Sequence, residues 1–110
     1  MDELTDITIT AEDADWLAQF TRRLIDDGLA ACGNIIPGVR SIYTWQGEVE
    51  EGTEALVFLH TRRGHVEQII QRANQEHPDD TPQVLALPVT AAHPGYRDWL
   101  INTTTQSHGG

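Results

Sequence analysis

With 110 residues, 39% of them hydrophobic, the chain has the length of one domain and enough apolar side chains to bury a core. Seventeen acidic residues against seven basic ones give a formal charge of −10 with no basic run, so the footprint of a nucleic-acid binder is missing. One cysteine excludes an internal disulfide, no apolar run approaches the ~20 residues of a membrane helix, and the acidic opening MDELTDITIT is unlike a signal peptide, so a cytoplasmic protein is expected.

Residues 4–10 alternate, with Ile7 and Ile9 on one face, and predict a short strand. Thr10 is the expected N-cap of a first helix whose acidic first turn suits the helix dipole. Leu17, Phe20 and Leu24 form its core stripe, Trp16 covers the rim, and Gly28 ends it as a C′ residue. Residues 29–61 then carry two β-rich segments separated at Gln46-Gly47, a hairpin long enough to project beyond its own domain. Overhanging strands find another chain.

A second helix follows Arg62-Arg63-Gly64, with Val66, Ile69, Ile70 and Ala73 on its apolar face, and stops at His77-Pro78. Residues 84–89 read as a strand buried on both faces, with Pro88 marking an edge, bulge or register change. Pro94 opens a last helix containing Tyr96, Trp99, Leu100 and Ile101. The order predicts an α+β, ferredoxin-like βαββαβ sandwich with a long β-hairpin and a short C-terminal helix. One domain spans residues 1–102, and residues 103–110 form a polar tail.

The segment Leu29-Ala30-Ala31-Cys32, then Asn34-Ile35-Ile36-Pro37-Gly38, Ser41-Ile42-Tyr43, Trp45 and Gly47, resembles the CutA family of divalent-cation tolerance proteins. So do Thr61-Arg62, His77-Pro78, Pro82, Val84, Leu87-Pro88, Tyr96 and Trp99, in the same order across nearly the whole chain. The resemblance implies a homotrimer of ferredoxin-like protomers, an architecture shared with PII-type signalling proteins. It also implies a hairpin reaching the neighbouring subunit, clefts between protomers, a role in metal-ion tolerance and copper binding. In animal members it implies association with acetylcholinesterase assembly, which this acidic chain gives no reason to expect. The chain departs from the family pattern at Asp79, where an aromatic is common, at His60, where Lys is common, and at Ile9, where some members have a second Cys. Soft sulfur ligands for Cu(I) are confined to Cys32 and Met1.

Among the five histidines, His77 has the strongest local cluster, with Glu76, Asp79 and Asp80. Imidazole with carboxylates suits a borderline divalent ion such as Cu(II), Zn or Ni, so His77 and Glu76 are the candidate metal ligands; alternatively His77 satisfies the last helical carbonyls. His108, in the tail, is the weakest candidate. Cys32 reads as a small core hydrophobe, with a nucleophile as the other reading. Arg62 either lines an intersubunit cleft with Cys32 and His60, holding a small anion, or pairs with Glu48, Glu50 or Glu51 of a neighbour. Tyr43, Trp45 and Trp99 are expected in the trimer interface, because exposed they would form an odd apolar patch.

The expected function is therefore a non-enzymatic trimer that binds divalent cations, copper above all, with no nucleic-acid or membrane partner and no organic cofactor. The alternatives are a PII-like protein holding a small anionic ligand in the cleft, a cleft enzyme using Cys32 and His77, and a scaffold for a partner protein.

Overall fold

A computed structural model describes residues 3–104. The elements are β1 (Leu4–Ala11), α1 (Ala14–Asp26), β2 (Cys32–Trp45), β3 (Glu48–Arg62), α2 (Val66–Glu76), β4 (Val84–Pro88) and α3 (Pro94–Thr103), with a 3-10 turn at Arg63–His65 before α2. All four strands pair antiparallel in the order β2-β3-β1-β4. This is the α+β ferredoxin-like arrangement predicted from the order of the elements.

Side chains alternate across a pleated sheet, so every second residue enters the same layer. Ile7, Ile9 and Ala11 of β1 and Ala55, Val57 and Leu59 of β3 meet Leu17, Phe20 and Leu24 of α1 and Ile69 and Ala73 of α2 in one core. Burial of each large member contributes roughly 1.5–3 kcal/mol. Trp16 stacks on Phe20 at 5.0 Å and closes the rim of this core, as its place beside the stripe predicts. Ile70 lies at the margin, 38% exposed. The opposite face of the sheet is covered only at one end, where Leu100 of α3 packs with Leu4 and Ala31.

Helix ends follow from local chemistry, with one correction. Thr10 does not cap α1, because β1 pairs through Ala11 with Ala55 and keeps Thr10 in the ladder. Asp13 takes the role instead, its Oδ1 accepting from the amides of Asp15 (2.9 Å) and Trp16 (3.2 Å). At the other end Leu29 N–H donates to Leu24 C=O and Gly28 N–H to Ile25 C=O, a Schellman motif. It needs a left-handed residue at Gly28, which has φ 74°. Arg72 of α2 donates to Asp27, at the C-cap of α1, and to Glu76, which also accepts from Arg23. One arginine thus ties the ends of both helices together.

The hairpin turns at Gln46 and Gly47, with φ values of 50° and 82°, the two-residue geometry whose twist matches the strands. A bulge between Ile36 and Val39, with Gly38 at φ 71°, re-aims β2 where β1 runs out of pairing at Ala11–Ala55. Beyond that point β2 and β3 pair only with each other. β4 departs from expectation. It lies at the sheet edge and ends at Pro88, but Leu85 and Leu87 stand 56% and 47% exposed. In the single chain only Val84, half-buried against the core, is covered on the helix side, and the other face is open because α3 packs at its far end. The expected domain boundary also moves: α3 runs to Thr103 and Thr104 is buried, while residues 105–110, including His108, and Met1 lie outside the described residues.

Gly33 sits where β2 crosses α1, and a Cβ there would lie 2.5 Å from Thr21 Cγ2. Gly33→Ala is expected to cost about 1–3 kcal/mol by overpacking, and Thr21→Ser in the same chain to recover part of it. Urea denaturation of the single and double variants checks this; an unchanged midpoint in Gly33→Ala would refute the contact.

Candidate functional site on the open sheet face

The register places chemically active residues side by side that are far apart in sequence. His60 pairs across to Asp6 on β1 and to Cys32 on β2, so these three form one row over three strands on the face away from α1 and α2. His60 Nδ1 lies 2.6 Å from Asp6 Oδ1, and His60 Nε2 lies 2.7 Å from Asn34 Oδ1. The side chains of His60 and Asp6 are 21% and 27% exposed, so the pair is partly screened from water.

The roof is α3. Pro94 at its first turn fixes the helical φ, and His93 caps it, Nδ1 accepting from the amides of Gly95 (3.0 Å) and Tyr96 (3.4 Å). Leu100 anchors the far end. Tyr96 therefore stands over the row, edge-on to His60 at 6.3 Å between centroids and tilted on Trp99 at 5.4 Å. The Tyr96 phenol is pushed above the ordinary tyrosine value, first by desolvation, then by its hydrogen bond to Cys32 and the negative charge of Asp6.

The expected cleft residues Cys32 and His60 are thus neighbours, and Arg62 stands two residues further along β3 at a same-face position. The expectation that Cys32 belongs to the core is corrected. It is half-buried at the start of an edge strand, facing His60 and Tyr96, and the core members of that run are Leu29 and Ala30. Asp6 and Asn34 were missed. Asp6 is 54 residues from His60 and Asn34 is 26, and only the strand register brings them together.

The expected metal pair does not fit. The His77 side chain is fully buried, its Nε2 bonds Thr10 C=O at 2.8 Å, and its Nδ1 accepts from Asp79 N–H at 2.9 Å. A neutral ring using both nitrogens has no lone pair left for an ion. Glu76 is held by Arg23 and Arg72. His77 instead anchors the end of α2 to β1, edge-on to Trp16. Among the described residues no group of three or more His, Cys, Asp or Glu side chains converges as metal ligands. His77 and Cys32 also belong to different layers, so the structure does not bring together the two groups of the expected cleft enzyme.

Of the expected interface residues, Tyr43, Trp45 and Trp99 stand 48%, 60% and 46% exposed in the single chain. Arg63 pairs with Glu3 at 3.5 Å, and the hairpin has an internal pair between Arg40 and Glu51.

A family sequence model, CutA1 divalent ion tolerance protein, matches residues 6–103. The chain is 36% identical to the divalent-cation tolerance protein CutA of Thermus thermophilus, over 94% of this chain and 99% of that protein. It is 40% identical to the chloroplastic protein CutA of Arabidopsis thaliana over 74% of its own length, but spans only 44% of that plant protein. The crystal structure of CutA1 from Oryza sativa superposes with a TM-score of 0.89 at 30% identity, covering 93% of this chain and 94% of that one.

His77→Ala leaves the Thr10 carbonyl and Asp79 amide without their partner and is expected to cost about 1–3 kcal/mol in stability. The same variant should keep the ion uptake of the parent, read by calorimetric titration with Cu(II); loss of uptake in a folded variant would restore His77 as a ligand. For Tyr96 the sign is set by the raised value. Its contribution to α3 docking is fully present below the ordinary tyrosine value of 10.0 and is lost as pH rises through the higher folded value. Ultraviolet titration should show a late-ionising phenolate that vanishes in Tyr96→Phe, and superposable curves would contradict it.

Proposed function

The chain belongs to the CutA1 divalent ion tolerance family, and on that premise we propose that it is a non-enzymatic, cytoplasmic homotrimer that acts in divalent-cation tolerance and binds ions such as Cu(II). The observation that carries the assembly is the tip of the hairpin. Ile42, Trp45 and Val49 are 65%, 60% and 76% exposed on strands that have left their own sheet. Such a surface is stable in water when a second chain covers it. Cation binding in this reading does not use His77 with Glu76. It draws on the net charge of −10, and on carboxylates such as Glu48 and Glu50 of the hairpin that assembly brings near another subunit.

A second reading has its own support. Cys32, His60 and Tyr96 form a half-buried polar cluster with Arg62 beside it, and a small anionic ligand bound there would make the trimer PII-like in use. An enzyme has less support, since the nucleophile candidate Cys32 and the base candidate His77 act in separate layers.

Native mass spectrometry of the metal-stripped protein, alone and with Cu(II), Zn(II) and Ca(II), tests both levels. A trimer with saturable uptake of one ion per subunit supports the proposal. A monomer refutes the assembly, and a trimer with only unsaturable adducts refutes specific cation binding. Trp45→Ala should shift the trimer towards monomer at low concentration by removing a large aromatic from the interface, measured by sedimentation velocity. Unchanged sedimentation would remove Trp45 from the interface.

A further inference from the structure

The ribbon that leaves the sheet after Ala11–Ala55 has two unlike faces, and the register tells them apart. β3 sends Ala55, Val57 and Leu59 into the core, so Glu48, Glu50, Gly52 and Glu54 lie on the open side. Tyr43 and Trp45 pair with Glu50 and Glu48 and share this face, and the Tyr43 hydroxyl lies over Gly52. Arg40, the one basic residue of the ribbon, is on the opposite face, where it bonds Glu51 at 3.0 Å and 3.2 Å. Three carboxylates thus stand beside two aromatic rings with no basic residue on their own face of the ribbon.

The rest of the chain has little positive charge to offer this face. Its seven basic residues are all arginines, against 17 acids. Arg23, Arg63 and Arg72 hold carboxylates of their own chain, and Arg62 and Arg97 are also engaged. A trimer sets three chains of charge −10 side by side and brings the Trp45 face of each ribbon against such a chain. Like charge opposes that approach, and a carboxylate taken out of water without a partner opposes it further. Glu48 and Glu50, two residues apart on one strand, are roughly 6–7 Å apart along the backbone. The screening length is about 10 Å at about 0.1 M salt, longer than that spacing, and about 3 Å at about 1 M, shorter than it. Ionic strength therefore decides whether the aromatic residues can close on a neighbour.

We propose that the ribbon is a salt-operated clasp. Its Tyr43–Trp45 face closes on a second copy of this chain when dissolved cations screen Glu48, Glu50 and Glu54, and it opens when they do not. The clasp rests on the trimer of the proposed function and adds what governs it. It is an effect of the ionic atmosphere and calls for no bound ion. It also has a definite sign. Docking by ion pairs between chains would be weakened by added salt, whereas relief of like-charge repulsion strengthens assembly.

Sedimentation velocity of the metal-stripped full chain in sodium chloride, from about 0.01 M to about 1 M, spans screening lengths of about 30 Å to about 3 Å. At one protein concentration the expected result is a trimer at the high end and a monomer at the low end. The low-salt monomer should keep the far-ultraviolet circular dichroism of the trimer. Salt also favours apolar burial in general, so two variants locate the effect. The triple variant Glu48→Gln, Glu50→Gln, Glu54→Gln should stay trimeric at both ends. Glu12→Gln, Asp26→Asn, Asp80→Asn removes as much charge from exposed positions outside the ribbon and should keep the salt dependence of the parent. A parent trimer that ignores salt or loosens as salt rises overturns the clasp and leaves the trimer standing. So does a ribbon variant as salt-dependent as the parent, or a second variant that behaves like the ribbon variant. Unfolding at low salt would move the effect into the fold and also overturn it. A monomer at both ends removes the assembly of the proposed function, and the clasp with it.

Discussion

The inner strand of the sheet is too short for its neighbour, and that mismatch governs the shape of the molecule. β3 has 15 residues and β1 has 8, paired from Ala11–Ala55 to Leu4–Arg62. Residues 48–54 of β3 consequently have a partner on one side only. The chain answers with a bulge at Ile36/Val39 and a tight turn at Gln46-Gly47, which let β2 and β3 continue as a two-stranded ribbon. An isolated ribbon is marginal in water, so apolar side chains at its tip imply a covering surface elsewhere.

The same register that frees the ribbon assembles the polar row at the other end of β3. Strand pairing contributes the backbone ladder, while the side chains of opposed residues meet at short range on each face. On the helix side those encounters are Ile, Val and Leu, and they make the core. On the open side, near α3, they are Asp6, His60, Cys32 and Asn34. One strand thus builds a hydrophobic layer and a titratable layer from alternate residues. Helix α3 then turns the second layer from a bare surface into a half-enclosed site.

Much of the fold was legible because it depends on local periodicity. Leu17, Phe20 and Leu24 announce the buried face of α1 and Gly28 its end, and of the edge, bulge or register change that Pro88 suggests the structure shows the edge. What failed depends on geometry beyond one element. Thr10 has the right chemistry for a cap, but the pairing of Ala11 holds it in the ladder and passes the task to Asp13. Residues 84–89 look doubly buried from composition, yet Leu85 and Leu87 are about half exposed in the single chain. His77 beside acids suggests a ligand by residue type, whereas its two nitrogens serve the Thr10 carbonyl and the Asp79 amide. The register was only half within reach. Counting back from Gln46-Gly47 alone sets Cys32 against Thr61, and the one-residue bulge between Ile36 and Val39, which periodicity does not announce, moves it to His60.

The ribbon also obeys a rule of parity. Between the last core pair and the turn, each added residue per strand rotates the tip by half a pleat, exchanging the two faces on which Tyr43 with Trp45 and Ile42 with Thr44 lie. Insertions of two residues per strand lengthen the reach by roughly 6–7 Å and keep the same face towards the same neighbour. Insertions of one present the opposite set of side chains at almost the same distance. Length variation in this hairpin is therefore quantised in even steps for any chain that must keep its mode of association, and an odd step is a change of partner surface.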